Sequence, residues 1–310
     1  MTRKKVLQLI IVLVAISVTA FGQQTRSRVV TKAEAEPLPQ NLSIFPSDLV
    51  NGSPFIIYFV PQKPLKTLAA DWQGHQIPLH KDENSDAWLS LAGVNYDTAP
   101  GVYLLGLKGI TVTGERLSFS TEIKVSKGQY RTTAISVPPK YVDPDPKDLE
   151  RINQEKEIKA STFGSSAETA LWKGAFVAPA AVSVSGEFGS QRTYNGKRQS
   201  VHQGLDFAAG TGTPVKAVNY GKVVLAREMY FEGNFIVVDH GQGLYSLYLH
   251  LSEFKVKAGD TVEKGQLIGL SGGTGRATGP HLHLAIRWQG EYLNPLTLLR
   301  IKLPDRALLR

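Results

Sequence analysis

The chain of 310 residues contains no cysteine. That excludes disulfides, thiolate metal sites, a cysteine nucleophile and a lipid-modified N-terminal cysteine. Internal repeats and low-complexity tracts are missing as well, so a solenoid or a disordered chain is not indicated. No block of consecutive Lys or Arg with interleaved aromatics occurs, and this argues against a nucleic-acid platform. What is present is a globular composition, 42% hydrophobic and 20% charged, with 29 glycines and 17 prolines suited to a turn-rich β chain. A formal net charge of +8 favours an anionic neighbourhood such as a wall polymer or lipid surface.

The N-terminus sets the compartment. MTRKK is basic, VLQLIIVLVAISVTAFG is apolar, and polar QQTRSR follows. Small residues Ala20 and Gly22 stand at cleavage spacing, which is the pattern of a secretory signal peptide over 1–22. The rival reading is an uncleaved anchor, for which the run is short against the roughly 20 residues a span needs. Either way the remainder works outside the cytoplasm, and membrane contact arises only if this segment is retained.

Residues 23–40 are polar and aperiodic, a tether. From 41 to 128 short β-like runs (SPFIIYFV, AWLSL, GVYLLGLKGITV, RLSFSTEIKV) alternate with turn clusters, predicting a small antiparallel sandwich. Residues 129–176 change character. A Pro-rich start is followed by DPKDLERINQEKEIKAS, a charged helix with acids early and lysines late, and a second short helix is expected over 166–171. Residues 177–300 return to short strands between glycine turns, and 301–310 form a tail. The fold class is therefore mainly β: a sandwich, a helical linker and a C-terminal antiparallel β domain with an open groove.

Five of the seven histidines lie between His202 and His283. His202 and Asp206 stand four apart around Gly204, and could present one nitrogen and one oxygen to a metal from a tight turn. His281 and His283 are two apart in an apolar run, so in a strand they share a face. The preceding GGTGRATGP reads as backbone passing close to a ligand or another segment. His250 ends an alternating strand, LYSLYLHLSEF. Combined, His202, Asp206 and one of the downstream pair make a zinc site with an open fourth position. Water acidified there needs a proton acceptor, and the nascent oxyanion needs support. His281 and His250 are the available side chains.

HQGLDFAAGTGTPVKAVNYGKVV, YLHLSEFKVKAGDTVEKGQLIG and GGTGRATGPHLHL resemble the lysostaphin/LytM-type zinc endopeptidases, which cut peptidoglycan cross-bridges. The resemblance spans about 186–299, and its motifs are specific. It implies zinc bound by His202, Asp206 and His283, with His281 as base and His250 assisting through the water or the transition state. It also implies a peptidoglycan peptide as substrate and a periplasmic or envelope location. Leu284 and Ala285 depart from the aromatic and acidic residues often found after H-L-H in the family. The front half resembles the Ig-like sandwich that precedes this domain in some exported members.

The other candidate residues have plainer readings. His75 and His80 read as surface residues, His240 as structural, and Tyr248 as either a substrate contact or core. Arg192 reads as a solvated charge, or else as a contact for an acidic peptide. Asn219, Asn234 and Asn294 read as turn or strand-end residues. Two further hypotheses remain in view. One is a non-catalytic wall-binding or hydrolase-activating module with a vestigial site. The other is a carrier barrel, because VKAGDTVEKGQLIG resembles the hairpin of biotinyl and lipoyl domains, but no lysine-bearing modification turn is visible. Oligomeric state is not readable from the sequence.

Overall fold

The computed structural model describes residues 41–303 apart from 84, 165 and 197. The expected signal segment, the tether and residues 304–310 of the tail lie outside the described residues. Among those described, no helix is long and apolar enough to cross a membrane.

The N-terminal half is a two-sheet sandwich. One sheet has four strands, ordered Leu42–Phe45, Pro54–Phe59, Trp88–Gly93 and His80–Lys81. The other has five, ordered Leu49–Val50, Arg116–Ser126, Gly101–Thr111, Leu65–Trp72 and His75–Pro78. Strand Gly101–Thr111 alternates, with Leu105 and Leu107 fully buried and Leu104 and Ile110 facing out. That is the period-two pattern of a sheet with one wet face. Across the core, Phe55 meets Trp72 edge-on at 5.2 Å.

Strands Pro54–Phe59 and Trp88–Gly93 break this alternation, because all six residues of each are buried. Their second face is covered by the C-terminal domain. A Cβ on Gly93 would sit 2.6 Å from Leu293 and 3.0 Å from Trp288. Asn294 N–H donates to Gly52 O at 2.8 Å, and Gln242 Nε2 donates to Pro78 O at 3.0 Å. The apolar core runs unbroken through this interface. The interface also corrects the surface placement of two histidines. His75 lies 4.9 Å from the Trp288 ring and His80 lies 5.3 Å from Trp172, and burial lowers the His80 pKa.

The connecting segment is more than a spacer. Thr132–Ile135 pairs in parallel with Gln191–Tyr194 of the C-terminal domain. The charged helix forms over Pro146–Phe163, with Pro146 in its first turn and no basic residue in its last. The short helix expected over 166–171 is absent. Asp239 captures this stretch instead, accepting from Ser166 Oγ and from Ala167 N–H, while Leu171 N–H donates to His240 O.

The C-terminal domain is built on one large antiparallel sheet. Its path runs Val184–Gly186, Leu205–Phe207, Leu282–Trp288, Leu244–Phe254, Gly233–Asp239, Gly221–Met229 and Thr261–Val262. The closing helix, Pro295–Arg300, is capped by Asn294, whose side chain accepts from Leu296 N–H.

Candidate metal centre and groove

Three neighbouring strands bring the distant histidines together. In the sheet register Asp206 stands opposite His283, and Leu249 flanks His283 on the other side. His202 enters from the turn four residues before Asp206. The ligand atoms form a small triangle: His202 Nε2 to Asp206 Oδ1 is 3.0 Å, His202 Nε2 to His283 Nδ1 is 3.1 Å, and His283 Nδ1 to Asp206 Oδ1 is 2.8 Å. Tetrahedral zinc with bonds of about 2.0–2.1 Å needs edges of about 3.3 Å. The triangle is near that size, and these are the described residues that group as potential ligands.

Their hydrogen bonding fixes what these atoms can do. His202 Nδ1 lies 2.7 Å from Glu187 O, a carbonyl that can only accept, so the ring proton sits on Nδ1. His202 Nε2 therefore turns a lone pair toward a carboxylate oxygen. Two acceptors at that separation need a cation between them, a proton or a metal ion. The Asp206 pKa is pushed up by burial, yet the adjoining His202 and His283 outweigh this and hold it well below the carboxylate range. Burial lowers His283 to about 4, against the opposing pull of Asp206.

Two more histidines border the triangle with the same tautomer. His281 Nδ1 donates to Gly279 O at 2.8 Å, and His250 Nδ1 donates to Thr274 O at 2.9 Å. Each leaves Nε2 bare. Their rings lie 4.7 Å apart, and His281 Nε2 is 3.8 Å from Asp206 Oδ1. Burial and the neighbouring His281 and His283 lower His250 to about 3. His250 also holds a left-handed backbone, φ +64°, a strained conformation for a non-glycine residue and one that clusters at functional sites. Its N–H is secured by Glu232 O at 2.9 Å.

All five residues line one groove of about 1010 Å³. The linker contributes to its wall through Thr133, Ile135 and Lys159, a contribution the sequence did not suggest.

Close packing explains two glycines. A Cβ on Gly204 would collide with the His283 ring and come within 2.6 Å of Leu284 O, and one on Gly186 would strike the Asp206 carboxylate. Gly204 had a sequence signal, its place inside His-x-Gly-x-Asp, but Gly186 had none.

Arg192 is neither solvated nor free for a peptide. Its Nη2 donates to Asp206 Oδ2 at 2.6 Å, with both side chains mostly buried. Tyr248 belongs to the core: it is fully buried, its hydroxyl accepts from Val218 N–H, and burial raises its pKa to about 12. His240 is structural as expected, lying between Tyr220 O at 2.7 Å and Ser246 Oγ at 2.8 Å. Asn219 accepts from Lys173 and Tyr220 N–H, and Asn234 donates to Ser252 O.

Residues 200–295 match Peptidase family M23. Peptidoglycan DD-endopeptidase ShyA of Vibrio cholerae is 34% identical over 190 residues, 60% of this chain and 40% of that protein. DD-carboxypeptidase/endopeptidase Mpg of Neisseria meningitidis is 41% identical over 98 residues, 32% of this chain and 23% of that protein. A crystal structure assigned to peptidase M23 from Pseudomonas aeruginosa aligns with a TM-score of 0.61 at 28% identity, covering 81% of this chain and 94% of that one. The chain thus spans 40% or less of the length of these curated relatives.

Proposed function

We propose that this chain, whose C-terminal domain is a member of peptidase family M23, is an exported zinc metalloendopeptidase that hydrolyses peptide cross-links of peptidoglycan in the cell envelope. The observation that carries the reading is the convergence of His202 Nε2, Asp206 Oδ1 and His283 Nδ1 on one point that needs a cation.

Zinc in such a site supplies Lewis acidity, polarising a carbonyl and bringing the pKa of water to about 7. His202, Asp206 and His283 hold it. His281, with its proton committed to Gly279 O, offers Nε2 as the acceptor for the proton released in the attack. His250, whose Nδ1 proton is committed to Thr274 O, assists through the water or the transition state. The groove, open along the ligand-bearing strands, suits an extended peptide. The names of the relatives, DD-endopeptidases, favour a cross-link between D-configured residues, and a net charge of +8 suits an anionic wall.

Digestion of purified sacculi and defined muropeptides, followed by mass analysis, tests this reading. Wild type should release un-cross-linked peptides and stop when zinc is chelated. His281→Ala should abolish cleavage with metal content near one per chain. An intact, zinc-loaded protein that leaves every cross-link uncut would favour an activating module instead.

A further inference from the structure

The groove carries more positive charge than its own acids require. Each of its three carboxylates has a cation beside it among the described residues: Asp206 has Arg192 at 2.6 Å, Glu232 has Lys159 at 2.5 Å, and Glu187 has Arg131 at 3.9 Å. Arg276 and Arg300 also line the groove and are left over. Arg300 ends the last helix and is exposed to solvent. Arg276 is different.

Its guanidinium is held between two aromatic faces, 4.8 Å from the Tyr194 centroid and 4.9 Å from the Phe231 centroid. Its backbone is pinned as well, with Arg276 N–H donating to Phe231 O at 2.8 Å. Stacking occupies the flat faces of the cation. The hydrogen-bonding edge makes no hydrogen bond or ion pair with any described residue. The group is therefore positioned but not used. A planar fork of donors in that state matches a carboxylate, which can take two parallel hydrogen bonds.

The location ties this edge to the reacting end of the groove. Two residues upstream, Thr274 O accepts the His250 Nδ1 proton, and Glu232, next to Phe231, holds the His250 backbone N–H. Two residues separate their Cα atoms by at most about 7 Å. The segment that carries Arg276 is the one that orients His250.

We propose that Arg276 forms a carboxylate-binding subsite of the groove, reading an acidic group of the substrate peptide close to the bond that is cut. This rests on the peptidase reading above and adds a specificity to it: acidic peptides are preferred over neutral ones.

Three cross-linked peptides test the subsite: one with all carboxylates free, one with the side-chain carboxylate nearest the cleaved bond amidated, and one with the C-terminal carboxylate amidated. Wild type should show a KM raised roughly 10- to 100-fold for one of the two amides, as expected for losing a hydrogen bond to a charged group, and the affected arm identifies the source of the carboxylate. Arg276→Gln should erase that ratio, and Arg276→Lys should restore it only in part, because a lysine lacks the stacked planar fork. Impaired folding lowers all rates together and leaves the ratio between peptides intact. Calorimetric binding of the same peptides to zinc-depleted protein should give the same preference without turnover. Equal KM and equal affinity for all three peptides, or an unchanged ratio in Arg276→Gln, would overturn the subsite. A binding preference for the free acid in a protein that cleaves nothing would keep the subsite and remove the hydrolase reading.

Discussion

Arg192 and Asp206 form an ion pair that divides the work of one carboxylate. Oδ2 is bound by Arg192 Nη2 at 2.6 Å, and Oδ1 faces His202 and His283. With Oδ2 occupied, the carboxylate cannot rotate to present both oxygens to one ion, so it is held as a single-oxygen ligand. Groups that orient a metal ligand in this way typically account for 10- to 100-fold in metal affinity. Arg192→Ala should therefore weaken zinc binding by about that factor, measured by competition with a chromogenic chelator. Saturating zinc should recover most of the metal occupancy. Wild-type affinity in Arg192→Ala would make the pair incidental.

Gly204 and Gly210 lie on either side of Asp206 but differ in what surrounds them. A methyl at Gly204 meets the His283 ring and Leu284 O, and a methyl at Gly210 meets nothing within 4 Å. Overpacking of this kind costs about 1–3 kcal/mol. Gly204→Ala should lower thermal stability by that amount and lose zinc, and Gly210→Ala should change neither. Thermal melts with metal analysis of the two variants make the comparison.

The site was largely legible in the sequence, because its residues sit in short motifs whose spacing is dictated by strand and turn geometry. His281 and His283 had to share a face, and Gly204 had to be small. The two sets of short strands and the helix between them were legible for a similar reason, in the alternation of strands and the charge pattern of Pro146–Phe163. What the sequence hid were contacts between segments far apart. Nothing local marks Arg192 as the partner of Asp206, or Thr132–Ile135 as a strand of the other domain. His80 looked like a surface residue because its partner, Trp172, lies about ninety positions away. The continuous apolar run of Pro54–Phe59 was a local hint that a sheet face was covered by more than its own sandwich.

That covered face predicts coupled unfolding. Gly93 lies against Leu293 and Trp288 with no room for a side chain, so Gly93→Val should force the two domains apart. Calorimetry should show one cooperative transition for wild type, and a lowered, broadened or split transition for the variant. An unaltered single transition would mean that the interface yields at little cost.

Acid sensitivity should arise in part from His240. The ring is fully buried, and burial lowers its pKa to about 4, with the carbonyl of Tyr220 and the charge of Asp239 opposing. In the unfolded chain the same ring titrates near 6.5. Between these values the unfolded state binds a proton that the folded state refuses, so folding is favoured fully above pH 6.5 and loses ground as pH falls toward 4. The difference is on the order of 3 kcal/mol over that window. His240→Gln keeps polar atoms for Tyr220 O and Ser246 Oγ but cannot titrate. It should be less stable than wild type at pH 7.5, and its melting temperature should fall less steeply between pH 6.5 and 4. Measurements on zinc-depleted protein avoid confusing this slope with protonation of the metal ligands. Parallel slopes for the two proteins would assign the acid loss to other groups, with the buried His250 and His283 next in line.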